Sequence, residues 1–136
     1  MNMHEQFIAR CFELGQMAAA EGESAVGSVV VKDGEIIGEG YEKSRQLKDI
    51  TRHAEIVAIL DAIKNKADIT GAILYSNVEP CILCSYAIRH YKIGTVVFAK
   101  HSGESGGTRA PFNILTTTAL GLWGPPPNVV HFVNNG

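Results

Sequence analysis

Between Glu5 and Ala20 the apolar residues Phe7, Ile8, Cys11, Phe12, Leu14 and Ala18 recur at helical spacing. This predicts an amphipathic first helix, with Cys11 as a small core residue on its apolar side. The β-branched run Val26-Gly27-Ser28-Val29-Val30-Val31 predicts a strand, Asp33-Gly34 a hairpin turn, and Ile36-Ile37-Gly38 the start of the return strand. Glu42 to Arg52 is polar and reads as a loop. A second helix is expected over His53 to Lys66, with Thr51 as candidate N-cap and Ile56, Val57, Ile59, Leu60 and Ile63 on its buried side.

Ala72-Ile73-Leu74-Tyr75-Ser76 is a third strand, short and apolar enough to be central. After Pro80 a third helix carries Ile82, Leu83, Tyr86, Ala87 and Ile88, and Thr95 to Ala99 is a fourth strand. His101 to Thr108, rich in Gly and Ser, reads as a loop near a ligand site or its mouth. Phe112 to Leu120 reads as a short helix broken by Gly124-Pro125-Pro126-Pro127, and Val129 to Val133 as the last strand. Neither a repeat nor a linker interrupts this order. The expectation is one domain over 1–136, an α/β fold built as a three-layer α/β/α sandwich around a five-stranded mixed sheet.

Composition narrows the class. With 136 residues, 46% of them hydrophobic and 19% charged, the chain can bury a core without disulfides. Its net charge of −2, from 12 basic and 14 acidic residues, lacks the basic footprint of a dedicated nucleic-acid binder. The one local basic cluster is Lys43, Arg45, Lys48 and Arg52; Glu42 and Asp49 dilute it, and it reads as a solvated loop. Met1 to Arg10 holds no apolar core of a signal peptide, and no stretch approaches the roughly 18–20 apolar residues of a membrane span. Three cysteines, an odd count, argue against a secreted disulfide scaffold. A cytoplasmic protein with free thiols is expected.

Two motifs carry chemistry: His53-Ala54-Glu55 and Pro80-Cys81-Ile82-Leu83-Cys84, each at a predicted helix start. Cysteines three apart on a helix emerge on one face, and a helix N-terminus favours the thiolate that zinc requires. His53, Cys81 and Cys84 supply three protein ligands, leaving the fourth position of a tetrahedral Zn²⁺ site to water. Glu55, two residues from His53, is close enough to move protons without binding metal. Alone, Cys-x-x-Cys is ambiguous between zinc and redox chemistry, and His-x-Glu is nearly meaningless. Together and in this order they form the zinc deaminase signature. A structural zinc knuckle would need a fourth protein ligand, and His4, His90 and His101 lack the spacing.

The chain resembles the cytidine and deoxycytidylate deaminase superfamily, in the branch holding cytosine deaminase, guanine deaminase and bacterial tRNA adenosine deaminases. The resemblance runs from Phe7 to Lys100 and includes Val26 to Val31, Ile37 to Gly40, Asp49 to Glu55 and Leu74 to Cys81. It implies a five-stranded sheet sandwiched by helices, a homodimer or tetramer, and a backbone amide at Cys81 that helps hold the reacting water. Two departures bear on substrate. Where the branch usually places a base-binding Asn, this chain has Glu42, and Arg52 replaces the small residue usual before the ligand His. An ionised Glu only accepts hydrogen bonds, so a substrate held there should present N–H groups, as a guanine-like or aminotriazine ring does. Glu42, Ser28 and Arg52 are the candidate substrate contacts.

Three functions compete. The leading expectation is a hydrolase releasing ammonia from a free base or small aminated heterocycle, in nucleobase metabolism. The alternative is a tRNA-specific adenosine deaminase producing inosine, opposed by the acidic net charge, by Glu42, and by Asn134-Asn135-Gly136 standing where those enzymes carry a basic helix. A catalytically silent binding subunit is the third, opposed by the intact His53, Glu55, Cys81 and Cys84.

Overall fold

The structure, a computed structural model, describes residues 3–65 and 68–133. Lys66, the expected end of the second helix, and Asn134 to Gly136 lie outside the described residues.

Helix α1 spans Met3–Ala20 and precedes strands β1 (Gly27–Lys32) and β2 (Glu35–Tyr41). Their hairpin turns at Asp33 and Gly34, both at positive φ (53° and 79°), the conformation that makes Asp-Gly a hairpin signal. Next come α2 (Ser44–Leu47), α3 (Ala54–Asn65), β3 (Ile73–Val78), α4 (Ile82–His90), β4 (Thr95–Lys100) and β5 (Asn128–His131). The sheet order is β2-β1-β3-β4-β5. Both β1 pairings are antiparallel, whereas β3–β4 and β4–β5 are parallel, so the sheet is mixed as expected.

Alternation along the central strands sorts the core into two layers. Val29, Val31, Tyr75 and Val97 face α1 and pack on Phe7, Ile8, Cys11 and Leu14. Val30, Leu74 and Val96 face the opposite side and meet Ala58, Ile59 and Ala62 of α3 and Ile88 of α4. This is the three-layer α/β/α sandwich.

Several local expectations give way to packing. The buried face of α3 is Ala54, Glu55, Ala58, Ile59 and Ala62, while Leu60 is exposed. The cause lies in β2: a Cβ on Gly38 would sit 2.6 Å from the Ala62 nitrogen, and one on Gly40 2.5 Å from the Ala58 nitrogen. The helix backbone therefore rests directly on glycine, and only an alanine column fits. On α4 the expected apolar side is likewise divided, with Cys84, Ser85, Ile88 and Arg89 buried but Ile82, Leu83 and Tyr86 exposed.

The loop over 42–52 contains the short α2. Thr51 does not cap α3; its hydroxyl donates to Asp49 Oδ1 at 2.6 Å. Phe112 to Leu120 forms no helix, and a one-turn 3₁₀ segment follows at Gly121–Trp123. The buried Arg89 holds this irregular stretch, donating to the carbonyls of Ile114 (2.8 Å), Thr117 (2.9 Å) and Gly124 (3.2 Å).

Candidate active site

Two helices begin beside the carboxyl end of β3. His53 directly precedes α3, and Cys81 is the N-cap of α4, in extended backbone (φ −77°). His53 Nδ1 lies 3.4 Å from Cys81 Sγ and 3.6 Å from Cys84 Sγ. The three ligand atoms fall within 4.8 Å of one another, the one such group of three among the described residues. Zinc bonds sulfur at about 2.3 Å and nitrogen at about 2.0 Å, which at tetrahedral angles separates sulfur from nitrogen by about 3.5 Å. Both nitrogen–sulfur separations match that ion.

The three donors polarise one another. Cys81 is pushed down to about 4, first by its hydrogen bond with Cys84 and, against the cost of burial, by His53. The Cys81 contact raises His53 to about 9. Cys84 is held well above its ordinary value by the Cys81 contact and by burial. As N-cap, Cys81 also places its backbone N–H among the amides that a helix start leaves without intrahelical partners.

A cavity of about 260 Å³ opens on His53 and Cys81, with Glu42, Glu55, Glu79 and Ser102 also in its walls. A larger groove of about 770 Å³, between α1 and the β4–β5 side, contains neither the trio nor Glu55. Glu55, in the first turn of α3, is 4% exposed. Burial pushes its carboxyl up to about 8, and the Cys81 charge adds to the rise. Glu42 is also buried; its Oε2 accepts the Ser44 hydroxyl at 2.7 Å and its Oε1 accepts the Ala54 N–H at 3.3 Å. A carboxylate thus closes the amino end of α3, where the helix dipole favours it.

The other two expected contacts are not brought to the cavity. Ser28 is fully buried in β1, and its hydroxyl donates to the Tyr75 carbonyl at 2.6 Å. Arg52 faces Asp49 (Nε–Oδ2 3.6 Å) and the Thr51 hydroxyl (3.0 Å), and its side chain is no part of the cavity wall.

Glu79 and Ser102 line the cavity without having been singled out from the sequence. Glu79 is 3% exposed and accepts from the Thr108 N–H (3.0 Å) and hydroxyl (2.5 Å), the Ser102 N–H (3.2 Å) and the His101 ring (3.2 Å). Burial alone would raise its pKa, yet these donors outweigh burial and lower it. A lone Glu before Pro-Cys carries no periodicity that would have marked it.

The sequence profile described as the cytidine and deoxycytidylate deaminase zinc-binding region matches residues 1–100. The chain belongs to this family. The protein is therefore a zinc-dependent deaminase, an enzyme that hydrolyses C–N bonds, and not a member of a merely similar fold. Among its relatives, the deaminase is 38% identical over 118 residues to a tRNA-specific adenosine deaminase of Aquifex aeolicus, spanning 85% of this chain and 78% of the relative. A solved structure from work on A-to-I editing by tRNA:A34 deaminases superposes with TM-score 0.84 at 25% identity, covering 94% of this chain and 98% of that one. A guanine deaminase from Bacillus subtilis superposes with TM-score 0.69 at 36% identity, covering 74% and 66%. No described helix of the deaminase is long and apolar enough to cross a membrane.

Proposed function

We propose that the deaminase releases ammonia from a small amino-substituted nitrogen heterocycle, with guanine and aminotriazines as the best-fitting class. One observation carries this reading: the Glu42 carboxylate stands in the wall of the cavity that also contains Glu55. Each Glu42 oxygen receives one internal hydrogen bond, from Ser44 or Ala54, and keeps a second acceptor site. An amidine edge with adjacent N–H groups satisfies those sites. A ring carbonyl facing them leaves acceptors opposed, which costs about 1–3 kcal/mol or more.

His53, Cys81 and Cys84 would hold the zinc, which when bound supplies the nucleophile of hydrolysis by lowering the pKa of a water to about 7. Glu55 does the proton work. As a carboxylate it takes a proton from the attacking water and delivers it to the ring nitrogen. It then takes the proton of the newly added hydroxyl and gives it to the amino group, so that the C–N bond breaks, the carbonyl forms and ammonia leaves. Burial raises the Glu55 carboxyl above the ordinary range, which favours keeping the proton it has taken until it is passed on. Glu42 orients the ring so that the amino-bearing carbon faces the trio.

A second reading, tRNA adenosine deamination, is favoured by the likeness to the Aquifex enzyme and to the tRNA:A34 deaminase structure. An ammonia-release screen separates the two, using guanine, melamine, cytosine, adenosine and an anticodon stem-loop RNA. Turnover of guanine or melamine is expected. Activity confined to the stem-loop, falling steeply between low and moderate salt, would overturn the first reading in favour of the second.

Assembly as a homodimer is part of the proposal, supported by Ile82, Leu83 and Tyr86 exposed on α4 and by Leu122 at 91% exposure. Molar mass in solution tests it. A cytoplasmic location accords with three free cysteines.

A further inference from the structure

We infer that Ser102 contacts the substrate through its hydroxyl, and that Glu79 is the positioning residue that holds it there. The inference rests on the cavity being the substrate site, not on which heterocycle enters.

Ser102 Oγ is buried and has no hydrogen-bond partner. Buried polar side-chain atoms are nearly always paired, so each exception calls for a reason. Two other buried side-chain atoms share this state among the described residues, Ser85 Oγ and Arg89 Nε, and neither residue lines the cavity. Ser102 does line it, together with His53, Glu55 and Cys81. A hydroxyl both donates and accepts, so it can meet a ring nitrogen, an exocyclic oxygen or an N–H of a bound heterocycle.

Glu79 shares the cavity wall but is fully engaged. Oε1 accepts from the His101 ring and the Ser102 N–H, and Oε2 accepts from the Thr108 N–H and hydroxyl. Four bonds use the acceptor capacity of a carboxylate. All four donors belong to one segment, 101–108, and they grip it at both ends. Its middle is fastened to the strand–helix junction that carries the first cysteine: the Gly107 N–H donates to the Pro80 carbonyl at 2.8 Å, and Gly106 bridges Cys81. A Cβ on Gly106 would overlap the Glu79 carboxylate, so the segment seats only with glycine there. Glu79 thereby fixes the Ser102 backbone beside the cavity that Ser102 lines.

The test uses zinc-loaded protein, with guanine, melamine and the stem-loop RNA assayed in parallel and the comparison made on whichever the wild type turns over. Ser102→Ala is expected to raise KM about 5- to 30-fold, the worth of one or two good hydrogen bonds, with kcat within about threefold and zinc retained. Glu79→Gln should raise KM in the same direction, and Glu79→Asp should recover part of the loss. Because Glu79 acts through Ser102, combining Ser102→Ala with Glu79→Gln should add little to the larger single effect. An unchanged KM in Ser102→Ala, or fully additive losses, would overturn the inference. If Glu79→Gln does not fold, Thr108→Val removes one hydroxyl from the clamp and takes its place. Amide hydrogen exchange reads the clamp without turnover: Glu79→Gln should speed exchange over 101–108 at least about tenfold, and Ser102→Ala should not. Equal exchange in wild type and Glu79→Gln would remove Glu79 from this role. A wild type active only on the stem-loop would sink the free-heterocycle reading and leave this comparison standing on RNA.

Discussion

Glu42 Oε1 accepts the backbone N–H of Ala54 at 3.3 Å, so an acid in the cavity wall also closes the first turn of the helix that presents Glu55. Under the proposed function, substrate selection and the placement of the proton carrier share one side chain.

Glu42→Asn should therefore change specificity. Asn offers a donor as well as an acceptor, so a ring carbonyl is no longer opposed. Relieving about 1–3 kcal/mol for one substrate and not another amounts to a shift of about tenfold or more. The ratio of kcat/KM for guanine over cytosine should fall by at least that factor. An unchanged ratio would take Glu42 out of substrate recognition, and the guanine-like class would fall with it.

Glu55→Gln should keep the fold and the metal yet lose nearly all turnover, because an amide cannot carry a proton from water to ring. General acid–base groups contribute about 10²- to 10⁴-fold, and one used for successive transfers belongs at the upper end. Single-turnover ammonia release measures it. Activity within a few-fold of wild type would mean that Glu55 is misassigned.

Gly107→Ala should destabilise the segment fastened to Pro80. The added methyl would overlap the Ser85 hydroxyl and lie 3.1 Å from the Pro80 carbonyl oxygen. Overpacking of this kind costs about 1–3 kcal/mol. Ser85→Ala in the same chain removes the overlapping oxygen and should recover much of the loss. Thermal unfolding of the single and double variants decides it, and equal stability of Gly107→Ala and wild type would show that the segment is not seated against Ser85.

Much of this was legible in the residues themselves. Period-two alternation in Val29-Val30-Val31 and Leu74-Tyr75 sorts directly onto the two faces of the sheet. His53, Cys81 and Cys84 converge because two helix starts flank one strand end. The sequence places that strand at Ala72 to Ser76 and a helix after Pro80, and the strand runs over Ile73–Val78. What stayed hidden depends on partners distant in the chain. The α3 face follows from Gly38 and Gly40 on another element, and periodicity within the helix cannot see them. Phe112 to Leu120 carries apolar residues, but Thr116, Thr117 and Thr118 are weak helix formers, and the stretch is instead held irregular against Arg89 of α4. Ser28 lies in a strand that the motif comparison included, yet the sheet consumes its hydroxyl. Glu79 is one acid beside a proline, and its role exists only once the 101–108 segment has folded back onto it.

The central claim, that His53, Cys81 and Cys84 hold the zinc on which turnover depends, is tested most directly by measuring ammonia release against bound zinc as metal is stripped and restored. Activity should fall to background as zinc leaves and return in proportion, reaching its plateau at about one zinc per chain. Cys84→Ser should bind zinc weakly and follow the same line at a much lower ceiling. Full activity in protein holding less than about a tenth of an equivalent of metal would contradict the account.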